Sequence, residues 1–254
     1  MSTSRLHLTI LTGASRGMGL AMAQQLLQPG HQLLCLSRNT QPALQKAAQG
    51  SGALLEQWNI DLADGASAAE RLSAWLKALP AHRYASATLI NNAGVIPALV
   101  PLRESAPTDL AHALRVGLEA PMQLCAAFLG ATRDWSVSRK VLNVSSGLGR
   151  RAMASQAGYC AAKAGMDHFT RCLAMDEALI PHGAKVCSLA PGVIDTDMQL
   201  QLRTADAAFF PDRSRFEGLK AEDQLTSPEE AARRVLVYLA RPDFGEQPVA
   251  DVRG

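Results

Sequence analysis

The stretch LHLTILTGASRGMGL at residues 6–20 decides the fold of this chain. Its first half is a run of apolar and β-branched residues, which is typical of a strand buried in a parallel sheet. Glycines follow at Gly13, Gly17 and Gly19, and a helical pattern begins at Met18. Such glycines let the backbone turn sharply and approach a pyrophosphate, whose charge then lies at a helix N-terminus. The stretch predicts a dinucleotide-binding turn, with a tight structural turn as the alternative.

The remainder of the chain repeats this alternation of apolar runs and helical patterns. Strands buried on both faces that alternate with helices predict an α/β fold of the Rossmann type. We expect a doubly wound, predominantly parallel sheet of seven strands flanked by helices, in one domain over residues 1–254. The helical pattern at 108–132 is predicted to break around Pro121. Strands are predicted at 6–11, 32–37, 53–58, 87–91, 140–144, 184–189 and 248–252, and helices at 18–28, 42–49, 67–79, 108–132, 157–179 and 228–240.

The composition argues against several classes of protein. Of 254 residues, 48% are hydrophobic and 19% charged, with a formal net charge of +2 and scattered basic residues, so no nucleic-acid partner is predicted. No segment has the length of a membrane span, and the N-terminus does not read as a signal peptide. Five cysteines and six histidines show no metal-ligand spacing, which favours free thiols, no metal and a cytoplasmic location.

The end of the second predicted strand bears on the choice of cofactor. NAD-selective sites usually place an acid there to bind the ribose hydroxyls, whereas this chain has Ser37 and Arg38. Arg38 and Arg16 flank the expected 2′-phosphate, and guanidinium groups offer several charged donors to phosphate oxygens. The pattern favours NADP(H) over NAD(H), with solvated surface arginines as the alternative. Asp61, after the third strand, is placed either at the adenine edge or as a helix N-cap.

Tyr159 and Lys163 form the first candidate pair for catalysis. They lie one turn apart on a helical pattern, and a neighbouring ammonium favours the phenolate and brings the tyrosine pKa towards neutrality. Ser146 lies at the end of the strand predicted at 140–144, at the edge of a parallel sheet where ligands bind. Its hydroxyl is placed to hold a substrate carbonyl oxygen. A solvated surface pair remains the alternative for the tyrosine and the lysine.

Over nearly its whole length the chain resembles the short-chain dehydrogenase/reductase family. The matching motifs are TGxxxGxG at 12–19, Asp61, NNAG at 91–94, Ser146, Tyr159 with Lys163, and PGVIDT at 191–196. The resemblance implies that Tyr159 donates the proton, Ser146 orients the substrate oxygen, and Lys163 binds the ribose and modulates the tyrosine pKa. The cofactor contacts predicted from the residues and the resemblance together are Gly13, Ser15, Arg16, Gly17, Met18, Gly19, Ser37, Arg38, Asp61, Leu62, Asn91, Ala93, Gly94, Tyr159, Lys163, Pro191, Gly192, Ile194 and Thr196.

Several strings, including DTDMQ at 195–199, are similar to the sepiapterin reductase and bacterial benzil reductase branch, which uses NADPH. This implies a carbonyl reductase whose small-molecule substrate is a ketone or dicarbonyl, pterin-like or benzil-like. Leu148 and Met198 are expected beside the substrate, and Asp251 lies near the place of the aspartate that anchors the pterin. Residues 207–211 are predicted as a lid or pocket wall, or as a small helix packed on the core. The family pairs its subunits, which implies a homodimer, with a tetramer as the alternative.

Gly117 is the main departure from the family pattern. The family usually has an asparagine there, which completes a Ser–Tyr–Lys–Asn tetrad, and a glycine has no side chain to hold a relay water. Gly117 favours one alternative function, a catalytically weak protein that senses NADP. A second alternative is a 3-oxoacyl-thioester reductase, a class that commonly has the complete tetrad.

Overall fold

The structure, a computed structural model, describes residues 5–253. It contains a seven-stranded sheet whose strands come from both ends of this range. The strands are β1 (Leu6–Thr12), β2 (His31–Ser37), β3 (Leu54–Asn59), β4 (Tyr84–Asn91), β5 (Ser138–Val144), β6 (Lys185–Ala190) and β7 (Val249–Asp251).

The strand order in the sheet is β3-β2-β1-β4-β5-β6-β7, and every neighbouring pair is parallel. The predicted α/β fold with a doubly wound, seven-stranded parallel sheet is therefore confirmed. The direction in which the chain adds strands reverses between β1 and β4. In such sheets a crevice opens outside the carboxyl ends of the strands at the point of reversal, and ligands bind there.

Nine α-helices connect the strands in the described range. Most lie within a few residues of the predicted bounds, and the last one has the predicted bounds. Two short helices between β6 and β7 were not predicted. The helices are α1 (Gly17–Leu26), α2 (Pro42–Ser51), α3 (Gly65–Ala78), α4 (Pro107–Leu114), α5 (Ala120–Ala131), α6 (Ala157–Ala178), α7 (Asp197–Arg203), α8 (Arg213–Ala221) and α9 (Pro228–Ala240).

The core lies on both faces of the sheet. Leu8 and Ile10 of β1 belong to the cluster that includes α3 and α5, whereas Leu11 belongs to the cluster that includes α1 and α9. This division follows from the period of two along a strand. Each fully buried leucine or isoleucine contributes about 1.5–3 kcal/mol. The strand is therefore held on both faces, and it places the glycine turn that follows it.

The prediction that all strands are buried is wrong for β3. This strand is at the edge of the sheet, and its residues are mostly exposed or half-buried, with Leu54 47% exposed. An edge strand has one neighbour, here β2, and less cover from helices. Trp58 is the one buried residue of the strand, and it packs edge-on against Trp75 of α3.

The break predicted around Pro121 begins earlier in the chain. A π-helical turn over Arg115–Glu119 separates α4 from α5, and Pro121 lies in the first turn of α5. The physical reason is local, because a proline has no N–H to donate to the carbonyl four residues earlier. That carbonyl belongs to Gly117. The irregularity therefore forms before the proline, around the glycine that departs from the family pattern.

Residues 207–211 do not line the main cavity of the described structure. Phe210 is fully buried and packs with Leu99, Leu202 and Phe216 in a separate small core cluster. The lid interpretation is therefore wrong for this segment. The segment packs on the core, as the alternative interpretation predicts, but it is a turn and not a small helix. The helix α8 starts after it.

No helix within residues 5–253 is long and apolar enough to cross a membrane. The same residues contain no group of three His, Cys, Asp or Glu side chains arranged to hold a metal ion. The prediction about a signal peptide concerns in part residues 1–4, which lie outside the described residues.

Candidate active site

A cavity of about 1020 Å³ lies along the carboxyl ends of the central strands. This is at the upper end of the range of about 300–1,000 Å³ for ligand pockets. Asn91 is the one predicted site residue that is not in its wall. The predicted residues that line the cavity are Gly13, Ser15, Arg16, Gly17, Met18, Gly19, Ser37, Arg38, Asp61, Leu62, Ala93, Gly94, Ser146, Leu148, Tyr159, Lys163, Pro191, Gly192, Ile194, Thr196, Met198 and Asp251.

The glycine turn is packed too closely for larger residues. Gly13 has a φ of +72°, and a Cβ added there would lie 2.9 Å from Cα of Ala93. A Cβ added at Gly19 would lie 2.1 Å from the carbonyl oxygen of Gly13. Both distances are shorter than real Cβ contacts. The turn after β1 therefore requires glycine for close approach, and its backbone stays open towards the cavity.

Asn92 fastens this turn to β4, a role that the sequence did not indicate. Its Nδ2 donates to the carbonyl oxygen of Thr12 at 3.0 Å. The hydroxyl of Thr12 in turn accepts from the backbone N–H groups of Asn92 and Ala93 at 2.9 and 3.0 Å. Asn91 points the other way, is buried, and donates to Oδ1 of Asn143 at 2.9 Å. The structure thus shows no wall position from which Asn91 would touch a ligand.

At the far end of the cavity, Arg38 is exposed and makes no ion pair with another described residue. Arg16 is paired instead, because its guanidinium lies 2.8 Å from a carboxylate oxygen of Asp197 in α7. The hydroxyl of Ser37 accepts from the backbone N–H of Ala14 at 3.1 Å. The three predicted phosphate contacts therefore line one cavity, and two of them already have protein partners.

Asp61 is not the N-cap of the following helix. Its side chain accepts from the backbone N–H of Ala63 at 3.0 Å, whereas Asp64 caps α3 by accepting from the N–H of Ser67. Of the two placements open for Asp61, the helix cap is excluded. The carboxylate lies in the cavity wall.

The catalytic candidates meet at the other end of the cavity. Tyr159 and Lys163 are buried on α6, and Nζ of Lys163 lies 5.7 Å from the centroid of the tyrosine ring. Nζ donates to the carbonyl oxygen of Val144, the last residue of β5, at 2.7 Å. The hydroxyl of Ser146 accepts from the backbone N–H of Leu148 at 3.1 Å. The end of β5 and the start of α6 therefore bring these three polar side chains to one wall.

Burial controls the ionisation of both α6 residues. It raises the pKa of Tyr159 to about 12, and hydrogen bonding towards Ser146 lowers that pKa in part. It lowers the pKa of Lys163 to about 8, against the raising effect of the Asp167 carboxylate. The expectation that the lysine brings the tyrosine pKa towards neutrality is wrong here, because loss of hydration outweighs any attraction at this distance. Tyr159 consequently keeps its proton at neutral pH.

A buried carboxylate fixes α6 against the sheet. Oδ1 of Asp167 accepts from the hydroxyls of Ser145 and Ser188 at 2.6 and 2.7 Å. Oδ2 accepts from Nε of Arg150 at 3.1 Å, and Arg150 also donates to the carbonyl oxygen of Ala250. This network joins α6 to the loop after β5 and to β6 and β7. It holds the two elements that carry Ser146 and Lys163 in register, and sequence reasoning missed it.

The arrangement of the site has a counterpart in known proteins. The family model for short chain dehydrogenases matches residues 7–207. The chain belongs to the short-chain dehydrogenase family.

The chain is similar to particular members of this family. Over 240 residues this short-chain dehydrogenase is 32% identical to benzil reductase ((S)-benzoin forming) of Bacillus cereus, covering 94% of this chain and 96% of that protein. It is 35% identical over 204 residues to sepiapterin reductase of Xenopus laevis, covering 75% and 74%. A solved structure from Agrobacterium tumefaciens with bound NADP has a TM-score of 0.78 at 25% identity, covering 99% and 97%. The predicted resemblance to the benzil and sepiapterin reductase branch is confirmed.

The position of the usual family asparagine is tightly packed in this short-chain dehydrogenase. Gly117 is buried in the π-helical turn, and a Cβ added there would lie 3.1 Å from Cβ of Ala162 on α6. This is closer than most Cβ contacts. An asparagine at 117 would therefore require α6 or the turn to shift by a few tenths of an ångström.

The substrate end of the cavity differs from the expectation for a pterin anchor. Asp251 lines the wall, but its two carboxylate oxygens accept from Nε and Nη2 of Arg253 at 2.8 and 2.7 Å. The Arg253 guanidinium holds the pKa of Asp251 below its usual value. Sulfur of Met198 lies 4.0 Å from the hydroxyl oxygen of Tyr159. Phe216 of α8 also lines the cavity. The sequence did not indicate this contact, because tertiary packing decides which residues of a helix face a cavity.

Proposed function

We propose that this short-chain dehydrogenase is an NADPH-dependent carbonyl reductase that acts on a ketone or dicarbonyl. One observation carries the proposal: the glycine turn, Ser146, Tyr159 and Lys163 all line one cavity. A dinucleotide bound at the turn and a carbonyl bound at the hydroxyl groups would therefore lie next to each other in one cavity. The similarity to benzil reductase over 94% of this chain supports the same substrate class.

The wall residues fit a dinucleotide phosphate. The start of α1 has no side-chain cap, so its backbone N–H groups are available to a phosphate. Arg38, exposed and without an ion-pair partner in the described residues, supplies a cation for a 2′-phosphate, and Arg16 supplies a second one in exchange with Asp197. These groups support NADP(H) over NAD(H). When bound there, NADPH would supply the hydride for the carbonyl carbon.

The side chains of this chain handle the oxygen of the substrate. The Ser146 hydroxyl donates a hydrogen bond to the carbonyl oxygen and orients it. The Tyr159 hydroxyl, which keeps its proton at neutral pH, transfers that proton to the oxygen as negative charge develops on it. The ammonium of Lys163, held by the carbonyl of Val144, stabilises the phenolate that remains. Solvent then returns the proton to Tyr159, so one carbonyl, one hydride and one proton give one alcohol.

An aryl ketone or dicarbonyl is the favoured class of substrate. The paired state of Asp251 argues against the pterin anchor, because its carboxylate already binds Arg253. Met198, Leu148 and Phe216 supply the apolar wall that an aryl ketone needs. Asp251 stays a candidate substrate contact only where a substrate displaces Arg253.

The test of the function is turnover by a tyrosine variant. NADPH oxidation is measured by absorbance on a panel of benzil, a pterin, a quinone and an acyl thioester. With its best substrate, Tyr159→Phe should lose at least about 10²-fold in kcat, because the variant keeps the ring but lacks the transferable proton. Its affinity for NADPH, measured by fluorescence titration, shows that the site is intact. Near-full activity of this variant would contradict the role of Tyr159.

Gly117 favours a second candidate function, a protein that binds NADP without efficient catalysis. The missing amide removes one holder of the relay water, and the tight contact with Ala162 leaves little room for another side chain. This candidate predicts NADPH binding and no turnover with any member of the panel. Turnover of the acyl thioester in preference to the other compounds would instead indicate a 3-oxoacyl-thioester reductase.

We propose that the chain acts as a homodimer, with a tetramer as the alternative, and as one domain over residues 1–254. Exposed apolar side chains on the outer faces of α5 and α6, namely Met122 and Met175, support pairing of these helices between subunits. Light scattering at micromolar concentration tests the assembly. The five cysteines are unpaired, which supports a reducing, cytoplasmic location.

A further inference from the structure

The side-chain amides of two buried glutamines in the cavity wall have no hydrogen-bond partner within residues 5–253. Gln156 is 0% and Gln199 is 2% exposed. For both, the amide nitrogen and the amide oxygen lack a partner, and among the described residues no other buried side-chain amide is unpaired at both atoms. Both line the cavity that contains Tyr159. Because buried polar groups are nearly always hydrogen-bonded, this pair requires an explanation.

The backbone around Gln156 is fixed by its neighbours. Ser155 has a φ of 59°, a strained value for a residue with a side chain, and its hydroxyl donates to the carbonyl of Phe209 at 2.5 Å. The carbonyl of Gln156 accepts from the N–H of Cys160 at 2.8 Å, which begins α6. The amide of Gln156 is therefore attached three residues before Tyr159, on a backbone that the segment at Phe209 holds in place.

Gln199 reaches the same cavity from the opposite element. It lies in the first turn of α7, next to Met198, whose sulfur contacts the hydroxyl of Tyr159. Two separate elements, the N-cap of α6 and the first turn of α7, thus each carry a buried, unpaired amide in the wall of the cavity that Tyr159 also lines. Gln123, by contrast, is outside the cavity wall and has a partner for its nitrogen.

The amide atoms of both residues are covered in this structure. We propose that Gln156 and Gln199 rotate towards the cavity and bind a hydrogen-bonding edge of the substrate beside its reacting carbonyl. An amide side chain donates two N–H groups and accepts at its oxygen, so full pairing needs an acceptor and a donor on the ligand. A lactam, which places C=O and N–H side by side, supplies both. The class of substrate is therefore a ketone next to a lactam or comparable amide, whereas benzil has acceptors alone. The inference rests on the proposed carbonyl reductase activity.

The first experiment compares two ketones that differ in one donor. Indoline-2,3-dione has a lactam N–H, and its N-methyl derivative does not. The wild type should favour the first by about tenfold in kcat/KM, the effect of one well-made hydrogen bond. Because the single lactam N–H donates to one amide oxygen, at least one of the variants Gln156→Met and Gln199→Met, which keep the side-chain length, should reduce this ratio to within about twofold of unity. A ratio near unity in the wild type, or a ratio unchanged in both variants, would overturn the inference.

A matched control separates recognition from general loss of packing. Gln32 is also buried, on β2, but its amide oxygen accepts from the hydroxyl of Tyr84 at 2.9 Å and it is outside the cavity wall. Gln32→Met should therefore keep the ratio of the wild type even where it lowers stability. Loss of the ratio in this variant too would overturn the assignment to Gln156 and Gln199.

Binding without turnover keeps the test separate from the proposed function. Calorimetry of the NADP⁺ complex with indolin-2-one and N-methylindolin-2-one needs no reduction step. Preference for the N–H compound, lost in at least one of the two glutamine variants, supports the inference even if no carbonyl is reduced and the proposed activity fails. Equal binding of the two compounds by the wild type overturns it, whatever the activity.

Discussion

Nε of Arg150 donates a hydrogen bond to Oδ2 of Asp167 at 3.1 Å and ties the loop after Ser146 to α6. The Asp167 side chain is 2% exposed and that of Arg150 33%. Without the carboxylate, the buried hydroxyls of Ser145 and Ser188 and the partly buried guanidinium of Arg150 lose their acceptor. Asp167→Ala should therefore lower the free energy of unfolding by about 3–5 kcal/mol in urea titrations. As a control, Asp243→Ala removes an exposed pair with Arg241 and should have a far smaller effect. Similar losses in the two variants would contradict this role.

Cofactor preference should depend more on Arg38 than on Arg16. The wild type is expected to bind NADPH at least about tenfold more tightly than NADH, because guanidinium groups pair with the 2′-phosphate. Arg38→Asp should erase or reverse this preference. Arg16→Ala should reduce it less, since its guanidinium is shared with Asp197. Fluorescence titrations with both cofactors measure it, and equal affinities in the wild type would exclude NADP selectivity.

Reduction should lose rate as the pH rises through the pKa of Lys163. Burial lowers that pKa to about 8, so the ammonium is present below this pH and is lost above it. Because the charge supports the phenolate of Tyr159, kcat/KM should fall about tenfold per pH unit on the alkaline side. A pH profile of kcat/KM measures this, with NADPH saturation checked at each pH. A constant rate to about pH 10, near the ordinary pKa of a lysine, would show that the charge is not needed.

The lowered pKa of Lys163 also determines whether the free energy of unfolding rises or falls with pH. The folded chain releases the Lys163 proton at a lower pH than the unfolded chain, so between about pH 8 and about pH 10.4 the unfolded state binds more protons at this residue. The contribution of Lys163 to the free energy of unfolding therefore increases with pH across this window.

Restoring the family asparagine requires a second change. Gly117→Asn alone would bring its Cβ to 3.1 Å from Cβ of Ala162, so we pair it with Ala162→Gly. Relative to Ala162→Gly, the double variant should gain at least about threefold in kcat, because an amide can hold the relay water. Steady-state kinetics on the best carbonyl of the panel test this. If the double variant gains no activity, the result favours the second candidate function, a protein that binds NADP without efficient catalysis.

Features with local causes could be predicted from the sequence. The turn from Gly13 to Gly19, the strand and helix order, and the spacing of Tyr159 and Lys163 depend on residues near in the chain. The break before Pro121 was misplaced by a few residues, since the turn around Gly117 depends on which carbonyl loses its donor. Periodicity predicts an element better than its ends.

Features that depend on burial could not be predicted. Lys163 reads as a charge that lowers the pKa of Tyr159, but the structure shows that loss of hydration dominates both groups. Gln156 and Gln199 read as ordinary polar residues, because their unpaired state exists only after α6 and α7 pack around the cavity. The sequence predicts Arg16 as a phosphate ligand. The structure shows that Asp197, which is far from it in the chain, forms an ion pair with it.

The ion pair between Arg16 and Asp197 also bears on the order in which ligands bind. It connects the turn that approaches a cofactor phosphate with the helix that carries Met198 and Gln199. A phosphate that draws Arg16 away releases the start of α7, so the first ligand changes the wall that the second one meets. Both side chains are about two-thirds exposed, and such pairs are worth up to about 1 kcal/mol, which corresponds to about fivefold in affinity. By reciprocity, we expect a substrate that requires α7 in its paired position to weaken binding of the dinucleotide by the same factor.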